Sequence, residues 1–186
     1  MRILAFAASN SAQSINKQLV THASEIFKSE VHTGAEVEIL DLNDFEMPIY
    51  SIDREKSDGI PEAAQTFFNK IGEADALLIS YAEHNGFYTS AYKNIFDWAS
   101  RIEMKVFQNK PMVIMSASIG PNGGANALKT AVESAPFFGA TILGSLSVGP
   151  FSEKFDAANG MLSDTDLANS LRQSLSALRE TENKAA

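Results

Sequence analysis

The stretch Ile3-Leu4-Ala5-Phe6-Ala7-Ala8, running straight into Ser9-Asn10-Ser11-Ala12-Gln13-Ser14-Ile15-Asn16, decides how the chain reads. Six apolar residues without polar alternation are what a parallel strand covered on both faces requires. The next eight residues hold three hydroxyls and three side-chain amides, and no acid. They lead into a helical pattern in which Ile15, Leu19, Ala23, Ile26 and Phe27 share one face. A buried strand, a polar turn and a helix start bring free N–H groups and the positive end of a helix dipole to the carboxyl end of the strand. That arrangement is a candidate phosphate cradle. The alternative is that Ser14 only caps the helix, with Ser9 and Ser11 as turn residues. The turn is not a P-loop, because the Gly-Lys-Ser/Thr ending is absent, and it is not a G-x-G-x-x-G fingerprint.

The same alternation continues along the chain. Further apolar runs lie at 37–40, 76–80, 112–117 and 141–148. The one at 37–40 contains a polar residue between apolar ones and suits a strand near a sheet edge. Helical faces are formed by Ile60, Ala64, Phe67, Phe68 and Ile71, with Pro61 at the helix start. Others are formed by Tyr92, Ile95, Phe96, Ala99 and Ile102, and by Ala127, Leu128, Ala131, Val132 and Ala135, where Pro136 should stop the helix. The last is Leu167, Leu171, Leu175 and Leu178, where Ser163 and Asp166 have capping-box-like spacing. Five strands alternating with five helices predict βαβ units around a parallel sheet. The expected fold is a flavodoxin-like α/β three-layer sandwich, its five parallel strands in the order 2-1-3-4-5 with helices on both faces. Residues 1–186 read as a single domain, with 180–186 expected to fray.

In such a sheet, ligands bind where the loops after the first, third and fourth strands meet. The second of these loops reads Ala82-Glu83-His84-Asn85-Gly86-Phe87-Tyr88-Thr89-Ser90. It offers polar groups, a glycine for close backbone approach, and rings, as a flat heterocycle requires. Read blandly, His84 is an exposed loop histidine, and Phe87 and Tyr88 pack at a subunit contact. The third loop, from Ser116 through Gly120 to Gly123-Gly124, is glycine-rich, which is common before a helix.

Composition narrows the chemistry. The chain lacks cysteine, which excludes disulfides, thiolate metal sites and cysteine nucleophiles. Its histidines, His22, His32 and His84, are scattered, so no metal site is expected. The net charge of −8 disfavours nucleic acid and anionic lipid. Neither a membrane span nor a signal peptide is read from the sequence, so a cytoplasmic protein is expected.

Together these segments resemble the NADPH-dependent FMN reductase family, which includes quinone, azo-dye and chromate reductases, over nearly the whole chain. Ser9, Ser14 and Asn16 match its phosphate loop of the form G-S-x-R-x-x-S-x-N. Glu83-His84-Asn85, then Lys93-Asn94 and Asp97-Trp98, match its P-E-Y-N…L-K-N-x-x-D-W signature. Pro48-Ile49-Tyr50, Asp53, Glu55, Gly59 and Pro61 match the segment between its second strand and second helix. Gly123-Gly124 match the glycine pair before its fourth helix. Four positions depart from the pattern: Ala8 for Gly, Ser11 for Arg, Ala82 for Pro, and Thr89-Ser90 for Pro-Gly. The resemblance implies that Ser9, Ser11, Ser14, Ile15 and Asn16 hold the phosphate and ribityl chain of FMN. It places Ala82, Glu83, His84, Asn85, Gly86 and Phe87 along the isoalloxazine ring, with Ser116 and the turn to Gly120 at its other edge. Ser11 removes a cation from the phosphate, and Lys17 stands nearby to supply one.

The implied activity is ping-pong reduction of a small-molecule acceptor (quinone, azo compound, free flavin or metal oxyanion) by NADPH or NADH through flavin N5. No protein acid or base is required, so no catalytic residue is assigned. Two other classes fit the residues: a flavodoxin-type electron carrier, and a flavin-free binding or regulatory module. Finally, residues 41–59 form a long connection carrying Phe45, Met47, Pro48, Ile49 and Tyr50. With the aromatic 87–92 region, this predicts a homodimer or a dimer of dimers. The alternative is that these side chains fold back onto their own domain.

Overall fold

The computed structural model describes residues 1–185, with side chains through Thr181. In chain order the elements are β1 (Arg2–Ala8), α1 (Ile15–Ile26), β2 (Glu36–Leu40), α2 (Ile52–Asp58), α3 (Glu62–Glu73), β3 (Ala76–His84), β4 (Phe87–Tyr88), α4 (Ser90–Ile102), β5 (Lys110–Ala117), α5 (Ala125–Ser134), β6 (Ala140–Val148), α6 (Phe151–Lys154), β7 (Phe155–Asp156), β8 (Met161–Leu162) and α7 (Thr165–Ala185). Five parallel strands run in the order β2-β1-β3-β5-β6, the flavodoxin-like arrangement. The order reverses between β1 and β3, which puts the ligand crevice at their carboxyl ends.

The sheet explains the unbroken apolar runs. Successive strand residues face opposite sides. Leu4, Phe6, Ala8, Leu77, Ile79 and Tyr81 pack in one core with Phe67, Ile71, Tyr92, Ile95 and Ala127, from α3, α4 and α5. Ile3, Ala5, Ala7, Leu78, Val113 and Met115 pack in a second core with Leu19, Val20, Ala23, Leu171 and Leu175, from α1 and α7. With both faces covered, the inner strands are mostly apolar, and the buried hydroxyls of Ser80 and Ser116 are each satisfied by a hydrogen bond, to Asn16 Oδ1 and to the Gly123 carbonyl. On the edge strand β2, Glu36 and Glu38 are exposed and only Leu40 is buried.

Several expectations are corrected. The sheet has a sixth strand, because β4 pairs antiparallel with β3. β3 runs through Glu83 and His84, so these are strand residues and not loop. The connection is the two-residue turn Asn85-Gly86, with φ of 54° and 80°. Positive φ at both central residues is the type I′ requirement that Asn-Gly meets best. The 41–59 segment is not structureless: Leu42–Phe45 form a 3-10 turn, and α2 follows with Ser51 as its cap. Phe45 is buried edge-on against Phe67. Trp98 Nε1 donates to the Pro48 carbonyl at 2.8 Å, and Tyr50 N–H donates to Asn94 Oδ1 at 2.8 Å. Most of the segment therefore folds back onto its own domain, and Ile49, 75% exposed, stands out. Asp164, not Ser163, caps α7, accepting from Leu167 N–H at 3.0 Å. That helix continues to Ala185; Ala186 lies outside the described residues. The hairpin of β7 and β8 was not anticipated.

Candidate functional site

The floor of the site is the start of α1. Ser14 is the N-cap, with its Oγ accepting from Lys17 N–H at 3.2 Å. Ser9 Oγ accepts from Ser11 N–H at 3.2 Å. Both hydroxyls keep a proton to donate. The N–H groups of Ala12, Gln13, Ile15 and Asn16 find no acceptor among the described residues. Unpartnered N–H groups at a helix start, beside hydroxyls and without an acid, fit an anionic oxygen cluster.

Asn16 lies under this floor and is nearly fully buried. Its Oδ1 accepts from Ala117 N–H and from Ser80 Oγ, both at 2.8 Å, and its Nδ2 donates to the Ala117 carbonyl at 3.0 Å. This amide therefore clasps the end of β5 and retains one free N–H. The clasp fixes the loop after β5 relative to α1.

Glu83 is similarly engaged. Its carboxylate accepts from the N–H groups of Asn126 and Ala127 at 2.9 and 3.0 Å, and from Asn126 Nδ2 at 3.2 Å. Gly124, the residue before α5, has no capping side chain, so β3 supplies the anion that the α5 N-terminus requires. Thr89 links a third pair of elements. Its Oγ1 caps α4 through Tyr92 N–H and donates to the Ala8 carbonyl at 2.9 Å. The threonine that departs from the family pattern thus ties α4 to the end of β1.

The loop after β5 closes the far side. Ser116 is fully buried and donates to the Gly123 carbonyl at 2.8 Å. A Cβ on Gly123 would sit 2.4 Å from Ser147 Oγ and 2.8 Å from the Val148 carbonyl carbon, and its φ is +60°. Glycine is required there on both counts.

These loops enclose a cleft of about 310 Å³ lined by Ser9, Ser11, Gln13, Ser14, Ile15, Asn16, Ala82, Glu83, His84, Ala117, Ser118 and Ile119. Eight of the expected site residues meet in it. Asn85, Gly86 and Phe87 do not line it; they lie exposed on the adjoining hairpin. Ser116 lies beneath the wall. Gly120 stands past it, its carbonyl accepting from Gly123 N–H at 3.2 Å and from Ser118 Oγ at 3.2 Å. Ala117, Ser118 and Ile119, which line the cleft, fall within the turn from Ser116 to Gly120 that the resemblance places at the ring's other edge.

No Lys or Arg lines this cleft. Lys17, the cation expected to stand in for the missing arginine, instead donates to Asp41 Oδ2 at 2.5 Å. That bond, together with the N–H of Asn43, holds the Asp41 carboxyl down to about 2. A second cavity, of about 220 Å³, lies between α4 and α5 on the other side of the hairpin. It is walled by Tyr81, Tyr88, Tyr92, Phe96 and Phe138. Burial pushes the Tyr81 and Tyr92 phenols above the ordinary range, so they stay neutral.

The family model for NADPH-dependent FMN reductase matches residues 1–153. The chain belongs to that family. Among relatives, an NAD(P)H:quinone oxidoreductase of Solanum tuberosum is 36% identical over 111 residues, covering 60% of this chain and 55% of that one. An NADPH:quinone oxidoreductase of Arabidopsis thaliana is 32% identical over 124 residues, covering 67% and 61%. The matched stretch thus spans a little over half of these two relatives. Among solved structures, the flavoenzyme NAD(P)H:(acceptor) oxidoreductase FerB of Paracoccus denitrificans superposes with a TM-score of 0.73 at 22% identity, covering 98% of this chain and 97% of that one. That likeness shows a shared fold. The β1–α1 turn, the Asn16 clasp and the Glu83 cap all lie within the segment matched to the FMN reductase family.

Proposed function

We propose that the cleft binds FMN and that the protein reduces small acceptors, quinones foremost, with NADPH or NADH. The observation that carries this reading is the convergence of the carboxyl ends of β1, β3 and β5 on one cleft whose floor presents unpartnered N–H groups and hydroxyls. Ser9, Ser11 and Ser14 with the Ile15 and Asn16 amides would hold the phosphate. Ala82, Glu83 and His84 on one side and Ala117, Ser118 and Ile119 on the other would flank the ring. FMN, when bound, supplies the redox chemistry, taking a hydride from the nicotinamide and giving electrons to the acceptor. The protein's part is placement: Asn16 and Glu83 hold the two ring-side walls against α1 and α5. The cleft is open, so nicotinamide and acceptor would occupy the same face in turn, which is a ping-pong order. The names of the quinone oxidoreductase relatives support quinones as acceptors.

The proposal includes a homodimer. Ile49, Phe87 and Ile119 are 75%, 44% and 87% exposed, apolar side chains that a second copy would cover. Light scattering at micromolar concentration tests this, and a monomer mass refutes it. No helix among the described residues is long and apolar enough to cross a membrane. The test of the main reading is titration of the purified protein with FMN, followed by quenching of flavin fluorescence. Saturable micromolar or tighter binding is expected, and its absence would remove the flavin from the account.

A further inference from the structure

We propose that Asn85 is a modification site at which the protein deamidates spontaneously, and that the change loosens the β3–β4 hairpin beside the cleft. The inference is independent of which ligand the cleft takes.

The chain holds three Asn-Gly pairs, Asn85-Gly86, Asn122-Gly123 and Asn159-Gly160. Asparagine is a chemically labile residue. It is most open to attack before glycine, whose backbone nitrogen no side chain shields. In the reaction the glycine amide nitrogen gives up its proton to water and bonds to the asparagine Cγ. The bond from Cγ to the side-chain nitrogen breaks, and ammonia leaves with a proton from solvent. Water then opens the cyclic imide at either carbonyl, to aspartate or to isoaspartate. The three pairs are equal as dipeptides, and the fold separates them.

At Asn122 the nucleophile is held. Gly123 N–H donates to the Gly120 carbonyl at 3.2 Å. The Asn122 carbonyl accepts from Ala125 N–H at 3.0 Å and from Ser147 Oγ at 3.1 Å, and Gly123 is wedged against β6. At Asn159 the amide is held. Its Nδ2 donates to Asp156 Oδ2 at 2.6 Å, and the same carboxylate takes the N–H groups of Ala158 and Asn159. A carboxylate there also opposes the negative oxygen that forms as Cγ is attacked. At Asn85 neither group is held. The Asn85 side-chain amide and the Gly86 N–H find no partner among the described residues, and both residues are exposed. A Cβ on Gly86 would meet nothing within 4 Å. The strand that closes the turn, β4, is only two residues long, so the turn opens at little cost.

The product does not fit the turn. Isoaspartate carries an extra backbone carbon, which a two-residue turn cannot absorb without shifting the pairs His84–Phe87 and Glu83–Tyr88. Glu83 caps α5, so the shift reaches a helix as well as a wall of the cleft.

The experiment incubates the purified full chain in mildly alkaline buffer, folded and in concentrated guanidinium chloride, and follows all three sites by peptide mapping with mass spectrometry. In the folded chain Asn85 is expected to convert at least about tenfold faster than Asn122 and Asn159. In guanidinium chloride the three should react at similar rates. The converted protein, separated on an anion exchanger by its added negative charge, should melt below the unconverted protein. A folded-state rate at Asn85 less than about tenfold above the other two overturns the site. Equal melting of the two fractions overturns its link to the hairpin.

Discussion

Replacing Asn16 by Ala is the sharpest test of how the cleft is held together. The amide makes three buried hydrogen bonds, two to the backbone of Ala117 and one to Ser80 Oγ. The Ser80 hydroxyl can rotate to another partner, but the Ala117 N–H and carbonyl cannot move without disturbing β5. Each buried group left without a partner costs about 1–3 kcal/mol, so the two together cost about 2–6 kcal/mol. Alanine returns at most about 0.7 kcal/mol through its helix propensity. The net loss is therefore about 1.3–5.3 kcal/mol, a large share of the 5–15 kcal/mol or so that holds a typical domain. Urea unfolding by circular dichroism measures it as a lower midpoint at unchanged slope. The melting temperature should drop on the order of 10 °C for a chain of this size. A loss below about 1 kcal/mol would show that Ala117 does not depend on this amide, and would return Asn16 to the ligand side of the cleft.

Three further outcomes follow from other contacts. Ser14→Asp keeps a capping oxygen on α1 but sets an anion beside the phosphate floor; FMN affinity should fall by about tenfold or more, equivalent to about 1.4 kcal/mol, and an unchanged Kd would exclude this turn from the site. Gly123→Ala should destabilise the chain by about 1–3 kcal/mol, because its Cβ meets β6 at 2.4 Å and its φ is +60°; a melting temperature equal to the parent's would refute the close approach. His22 accepts from Leu162 N–H at 3.3 Å, and burial, followed by the nearby Arg172, holds its pKa below the ordinary 6.5. The folded state thus binds this proton less readily than the unfolded chain does, so stability is full above pH 6.5 and declines as pH falls through and below it. His22→Gln should flatten that decline in melts between about pH 7 and pH 5, and an unaltered slope would assign it elsewhere.

How much of this was legible in the sequence depends on where each element finds its partners. The inner strands could be read because both faces are buried, which forces continuous apolar runs such as Leu77 to Ile79. The last turn of β3 could not be read that way, because Glu83 is a polar residue stabilised by α5, 43 positions away. The Asn85-Gly86 turn did carry a local signal, the dipeptide itself, which was masked by reading the whole stretch as a binding loop. Residues 41–59 look irregular in isolation, and their apolar side chains show no partner in the sequence. Their order comes from Asn94 and Trp98 on α4, which take up the backbone of Met47, Pro48 and Tyr50. The turn at Ser9 to Asn16 showed that a site exists but not how its atoms are used. Asn16 shares the polar character of its neighbours, and only the fold turns it inward to Ala117.

The central claim is tested most directly by reconstituting the purified protein with FMN and mixing it, without oxygen and without any second protein, first with NADPH or NADH and then with a benzoquinone. The account predicts that the visible flavin absorption bleaches on addition of the nicotinamide and returns in full when the quinone is added. A flavin that stays oxidised in the presence of both nicotinamides would contradict it and leave a carrier in place of a reductase.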